Sequence, residues 1–252
     1  MPYAIVQKSL EAPSVEQLVR AFRALPQLTD YDANTMAKDA FGILVQGLDL
    51  ADAGRLLQAL HAEGVEAEMV DGKSLPPLPP PKPLHRAECL PGAFLACDYL
   101  GRPAEIEWPH VILVAAGAVL LTEFKHTTRE RLHHYDQDGI PVTVTEHREK
   151  EEQNHRLILE LLLDVAPGRY HIAAEKFNFA YLGERLSQSR AANYVALVQD
   201  CLRYATSAIG NRGAEAQRRD PRSLLKYPSK HAFEEETVWL LWHHFASRRV
   251  GP

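Results

Sequence analysis

Apolar residues recur at three- and four-residue spacing over Val15, Leu18, Val19, Phe22 and Leu25, a period that predicts an amphipathic helix opened by Pro13 and Ser14 and stopped by Pro26. A short strand, YAIVQ, precedes it. Thr29 or Asp30 can cap a second helix, whose repeat runs through Ala33, Met36, Ala37 and Ala40, and ILVQGL reads as a second strand. A third helix carries Ala53, Leu56, Leu57 and Leu60 on one face. Gly64 suits its C-terminal cap, and VEAEMV alternates as a closing strand. Residues 1–72 therefore predict a small α/β domain of three helices and a three-stranded antiparallel sheet.

Residues 73–83, KSLPPLPPPKP, interrupt this pattern with six prolines. Their rings remove backbone donors and favour extended polyproline II geometry, so the stretch predicts a semi-rigid linker holding two domains apart. Beyond it the pattern changes to short apolar segments punctuated by Pro-Gly, Gly-Arg-Pro, Trp-Pro and Ala-Gly. These include AFLACDYL, HVILVAAG, AVLLTEF, IPVTVTE and HRLILELLLDV. They predict a meander of about seven strands. Ser187 or Ser189 then caps a helix with a stripe of Val195, Val198, Cys201, Leu202 and Ala205. An antiparallel sheet with one apolar face needs a cover, so residues 84–207 are expected to form a β barrel or sandwich capped by that helix. The fold class expected for the whole chain is α+β.

The tail, 208–252, reads as a basic segment followed by an amphipathic helix capped by Ser229. Glu234, Glu235 and Glu236 would favour the positive end of its dipole, and Phe233, Val238, Leu241, Trp242 and Phe245 would bury on one side. So much aromatic area implies docking on the chain's own barrel, with a homodimer contact through this helix as the alternative.

Composition narrows the function classes. The 252 residues are 46% hydrophobic and 24% charged, in the range of ordinary globular proteins. A net charge of −5 argues against a protein whose main work is to neutralise nucleic acid phosphates, and it ranks the basic stretch Arg212 to Lys230 last as a binding site. The three cysteines lack the spacing of a disulfide framework or a zinc site and are expected to be reduced. The best apolar run, Val111 to Leu121, falls far short of the ~20 residues a spanning helix needs. No membrane span and a cytoplasmic location are the corresponding expectations.

In the first domain, A-x-x-M-x-x-x-A over Ala33 to Ala40, Gly47-Leu48, Asp52-Ala53, Leu56, Leu60 and the ending GVEAEMV resemble the C-terminal domain of the bacterial ribosomal stalk protein. The register runs without gaps from about Ser14 to Met69, and the Clp protease adaptor shares the general fold. The resemblance implies a protein-contact surface on the first two helices, with Arg20 and Arg23 at two of the family's basic positions. Val15 and Asn34 stand where that family has lysines, which puts the same partners in doubt. The second domain resembles a pleckstrin-homology-like domain in element order alone. Only Arg86 lies near its first turn, Leu90-Pro91-Gly92, so the likeness implies a protein contact rather than a lipid site.

Reactive signatures are scarce. No G-x-S-x-G elbow, G-x-x-x-x-G-K-[ST] loop or G-x-G-x-x-G appears. In HREKEEQNH, His147, Glu151 and His155 are four apart and would share a helix face; between strand-like flanks the segment reads instead as a charged hairpin tip. The pairs His133-His134 and His243-His244 read as surface residues. The expected function is a non-enzymatic protein interaction or adaptor role without a cofactor, with a protein partner. The alternative is a metal-dependent hydrolase using His147, Glu151 and His155.

Overall fold

In the computed structural model, which describes residues 2–98, 100–135, 141–166 and 168–249 (side chains of 123–152 and 247–249 excepted), the N-terminal helices begin where side chains satisfy their free amides. Ser14 and Gln17 cap α1 (Val15–Phe22) reciprocally, Thr29 and Asp32 do the same for α2 (Asp30–Asp39), and Asp49 caps α3 (Leu50–Ala62). Gly64 follows α3 with φ of +75°, a left-handed conformation that glycine adopts without strain. The helices alternate with β1 (Tyr3–Gln7), β2 (Ile43–Leu48) and β3 (Ala67–Asp71), an antiparallel sheet in the order β2-β1-β3. Ile5, Leu18, Phe22, Ala33, Leu56 and Leu60 form its core. Val15, expected on the apolar stripe, is exposed.

The second part is built on two long strands, β8 (Val111–Tyr135) and β9 (Pro141–Leu163). They run antiparallel in a mixed sheet completed by β10 (Arg169–Ala173) and by three short parallel partners. These are β4 (Lys82–Pro83) on β10, and β11 (Ile209–Gly210) and β12 (Lys226–Tyr227) on β8. A separate antiparallel sheet contains β5 (Arg86–Cys89), β6 (Ala93–Cys97) and β7 (Pro103–Glu107). No sheet among the described residues closes into a barrel, which corrects that expectation; the coarse class is mixed α+β.

Two strand boundaries differ from the sequence expectation. Ala116-Gly117 does not turn: VILVAAG and AVLLTEF are one strand. A β-carbon at Gly117 would lie 2.5 Å from the Tyr227 ring, so the glycine serves packing rather than a bend. PVTVTE and HRLILELLL likewise belong to one strand, and HREKEEQN is part of its ladder rather than a hairpin tip.

The central strands are buried on both faces, which accounts for their continuous apolar runs. Val111, Val114, Leu159 and Leu161 pack toward α4 (Arg190–Tyr204), where Tyr194, Leu197, Val198 and Cys201 are buried. Val195, expected on that stripe, is only partly buried. On the opposite face Ile112, Leu113, Ala115, Ile158 and Leu162 meet α6 (Lys230–Arg249) through Phe233, Trp239, Leu240 and Leu241. The basic segment ahead of α6 contains a further helix, α5 (Arg212–Arg219). Its Gly213 lies so close to β8 that an added β-carbon would sit 1.8 Å from the Ala116 carbonyl oxygen.

The proline stretch does not hold the two parts at a distance. Val6, Phe41 and Ile43 of the first part share one apolar cluster with Tyr227, Phe233 and Trp239 of the second, and Leu75 and Leu78 of the linker pack against it. The Trp239 indole N–H donates to the Gln7 carbonyl at 2.8 Å, and its ring meets Phe41 edge-on at 5.4 Å. The linker thus contributes its leucines to a shared interior, a role that its proline count conceals.

Beyond Leu120 and His155 the β8–β9 ladder has no third strand among the described residues, and it continues to Tyr135 and Pro141. Fifteen residues at about 3.3 Å each make a two-stranded arm on the order of 50 Å long.

Candidate functional site

Arg20 lies on the outward side of α1, opposite buried Leu18 and Phe22, and the exposed Arg23 is its C-cap residue. Arg20 bonds Glu63 at 2.7 Å, and Arg23 bonds Asp30 at 2.9 Å. The Glu63 hydrogen bond and charge raise the Arg20 pKa, while the same contact holds the Glu63 carboxyl below its ordinary value. Exposed pairs of this kind contribute little to stability, so a partner carboxylate can exchange with Glu63 or Asp30 at small cost. Next to Asp30 stands Tyr31, 79% exposed at the start of α2. Sequence reasoning overlooked it. The helical repeat was the available signal, since with Ala33 and Ala37 buried, position 31 falls on the outer face. Asn34 is exposed on the same helix and donates to the Asp30 carbonyl.

The proposed metal-binding triad has a different geometry from the one its spacing would give on a helix. His147, Glu151 and His155 all lie in β9, paired with Thr128, Phe124 and Leu120 respectively. Along a strand, eight residues span about 26 Å, which separates the outer two α-carbons too far for one ion with bonds near 2 Å. The side chains of 147 and 151 lie outside the described residues, as do those of His133 and His134, and His155 is exposed. Among the described residues no group of three or more His, Cys, Asp or Glu side chains could hold a metal ion. His243 corrects another expectation: it is half-buried, with its ring against Trp239 and Trp242 at 4.7 and 4.9 Å.

The cysteines are buried and free, with the Cys89 and Cys201 sulfurs 3.9 Å apart. Contact with Cys89, followed by burial, raises the Cys201 thiol well above its usual pKa, which keeps it protonated and slow to react.

The three glutamates of α6 do more than face a helix dipole. Glu236 is fully buried; it accepts from the Arg212 backbone N–H at 2.6 Å and pairs with the Arg212 guanidinium, which stacks 3.6 Å from the Phe41 ring centre. Glu234 accepts from Arg169. Glu235 points into a pocket of about 430 Å³ between α2, β2 and α6, where Gln46 donates to it at 3.0 Å and the His231 ring lies 3.2 Å away. Burial raises the Glu235 pKa, helped by the nearby Asp39 charge and opposed by His231 and Gln46; burial also raises that of Asp39.

A carboxyl whose folded pKa is raised stabilises the fold below its ordinary value, and that contribution is lost as pH rises through the folded value. E235Q is therefore expected to gain stability relative to wild type as pH rises from about 4 to 7, across and just above the carboxyl range. Urea midpoints of both proteins at several pH values check this; parallel curves would refute it.

No helix among the described residues is long and apolar enough to cross a membrane. Compared with protein-family models, curated proteins and solved structures, the chain matches none.

Proposed function

We propose that the protein is a non-enzymatic interaction protein that holds a protein partner on the α1–α2 face. The observation that carries this is the exposure of Tyr31 beside Arg20 and Arg23, because tyrosine and arginine are the residue types that concentrate binding energy at protein interfaces. Arginines whose present carboxylate partners are surface groups can trade those partners for a partner's acidic side chains. In this reading residues 1–72 act as a stalk-protein-like module, and the second part is the body on which it is mounted. Phe233 and Trp239 of α6 are buried inside the chain, so among the described aromatic residues of that helix a contact between copies would draw on Phe245 and the part-buried Trp242.

The test is crosslinking of the full chain in cell extract, with mass spectrometry locating the crosslinks. One protein joined through residues around α1 and α2 is expected, with the yield falling tenfold or more in R20E/R23E/Y31A. These positions are exposed, so far-UV circular dichroism of that variant should match wild type. Crosslinks that survive the triple substitution unchanged would overturn the proposal.

A further inference from the structure

A second surface feature, independent of the α1–α2 face, lies on the other part of the molecule. Between the β4–β10 edge of the large sheet and the β5–β6–β7 sheet is a cleft of about 720 Å³. The chain crosses from one sheet to the other at Lys82–Arg86, and it is tied on both sides. Lys82 and Pro83 pair with β10, the Leu84 N–H donates to the His171 carbonyl, and the His85 carbonyl accepts from the Asn178 N–H. These bonds fix the backbone that carries Lys82 and Arg86.

The charge of this lining runs against that of the chain. Four lysines and arginines, Lys82, Arg86, Arg102 and Lys176, face one carboxylate, Asp98, in a protein with a net charge of −5. Asp98 is committed to Arg102, with Oδ2 2.8 Å from Nε, and its loop amides hold its pKa below the ordinary range. Arg86 has a long contact of 3.3 Å to Glu88. Among the described residues neither Lys82 nor Lys176 is in an ion pair; the Lys82 ammonium lies 5.7 Å from the centre of the Tyr170 ring. The accessible apolar lining is Pro83, Pro103 and Ala104, with Leu84, Ala96 and the Tyr170 ring buried behind it.

We propose that this cleft binds an organic phosphate, its phosphoryl group held by Lys82 and Lys176 and its apolar or planar body resting against the exposed Pro83, Pro103 and Ala104 of the lining. Two lysines that line one cleft and are in no ion pair among the described residues attract a dianion, while a neutral ligand gains nothing from them. The forked guanidiniums of Arg86 and Arg102 add planar donors suited to phosphoryl oxygens, and the volume suits a ligand of nucleotide size. The phosphate could belong to a soluble ester or to a lipid headgroup, and both present the same chemistry to these residues.

Calorimetry on the full chain at low ionic strength, with adenosine monophosphate and phenyl phosphate as probes, tests the proposal. Flotation with vesicles containing anionic phospholipid tests the lipid source. Binding of an ester is expected, weakened tenfold or more in K82E/K176E and reduced by added salt. K8E/K38E, with the same charge change at exposed positions of the first part, should bind like wild type. Vesicle binding lost in K82E/K176E and kept in K8E/K38E, without ester binding, would sustain the phosphate site and assign it to a headgroup. Binding of neither probe class, or equal loss in both double variants, would overturn it. All four lysines are exposed, so circular dichroism should show each variant folded.

Discussion

Replacing Trp239 with alanine is expected to lower the free energy of unfolding by about 3–5 kcal/mol, the range for emptying an aromatic side chain from a close-packed interior. The indole is fully buried and faces elements from both parts of the chain. Its ring meets Phe41, its N–H is the donor to the Gln7 carbonyl at the end of β1, and its inner edge fills the space above Gly42. Gly42 is required twice over: its φ is +77°, and a β-carbon there would lie 2.7 Å from the indole. Alanine at 239 leaves a cavity and a buried carbonyl without its donor, two losses that reinforce each other.

Urea unfolding followed by circular dichroism measures the effect. W239F should recover part of the loss, because a phenyl ring refills volume but restores no hydrogen bond. Because the indole spans both parts, W239A should also broaden the transition or split it as the N-terminal sheet loses its attachment. A loss below about 1 kcal/mol would mean that the two parts are not held together through this residue.

The contrast between Trp239 and the caps of α1 to α3 shows what the sequence discloses. Ser14, Thr29 and Asp49 act on amides two or three residues away, and Gly64 acts on its own backbone, so their signals are local and readable. What a residue meets from a distant element leaves no such trace. Gly117 has the sequence signature of a turn, yet its lack of a side chain makes room for a tyrosine more than a hundred residues later. Leu75 and Leu78 sit among prolines that read as a spacer, and only the apolar cluster beneath them reveals their packing role.

The same limit governed the candidate sites. Arg20 and Arg23 were singled out by the resemblance to the stalk family, and helical periodicity made only their outward position legible. The cleft was not, since Lys82, Arg102 and Lys176 are far apart in sequence and line one cleft only in the folded chain. His147, Glu151 and His155 failed in the opposite sense: a spacing that would converge on a helix spreads along a strand.

Glu234 also belongs with the residues whose role depends on a distant partner, and it leads to the second large effect. R169M is expected to destabilise the protein by about 3–5 kcal/mol, because it removes the guanidinium from a buried ionic cluster and leaves the buried Glu160 carboxylate with the His171 ring alone. Arg169 is 2% exposed, and burial alone would lower its pKa. Two hydrogen bonds to Glu160, at 2.9 and 2.7 Å, and one to Glu234 at 2.7 Å outweigh that burial and raise it. Glu160 is 1% exposed in β9, with the His171 ring 2.9 Å away; Glu234 belongs to α6.

Most of the loss in R169M comes from the stranded Glu160 charge rather than from the worth of the ion pair, since buried pairs roughly balance attraction against desolvation. E160Q/R169M, in which that charge is absent, should therefore be more stable than R169M alone. Thermal melts can separate the cases: a single-variant shift on the order of 10 °C is expected for a chain of this size, with a substantial part recovered in the double variant. If the double variant were as unstable as the single one, the arginine would be holding β9, β10 and α6 together by packing, and the charge on Glu160 would be incidental to the fold.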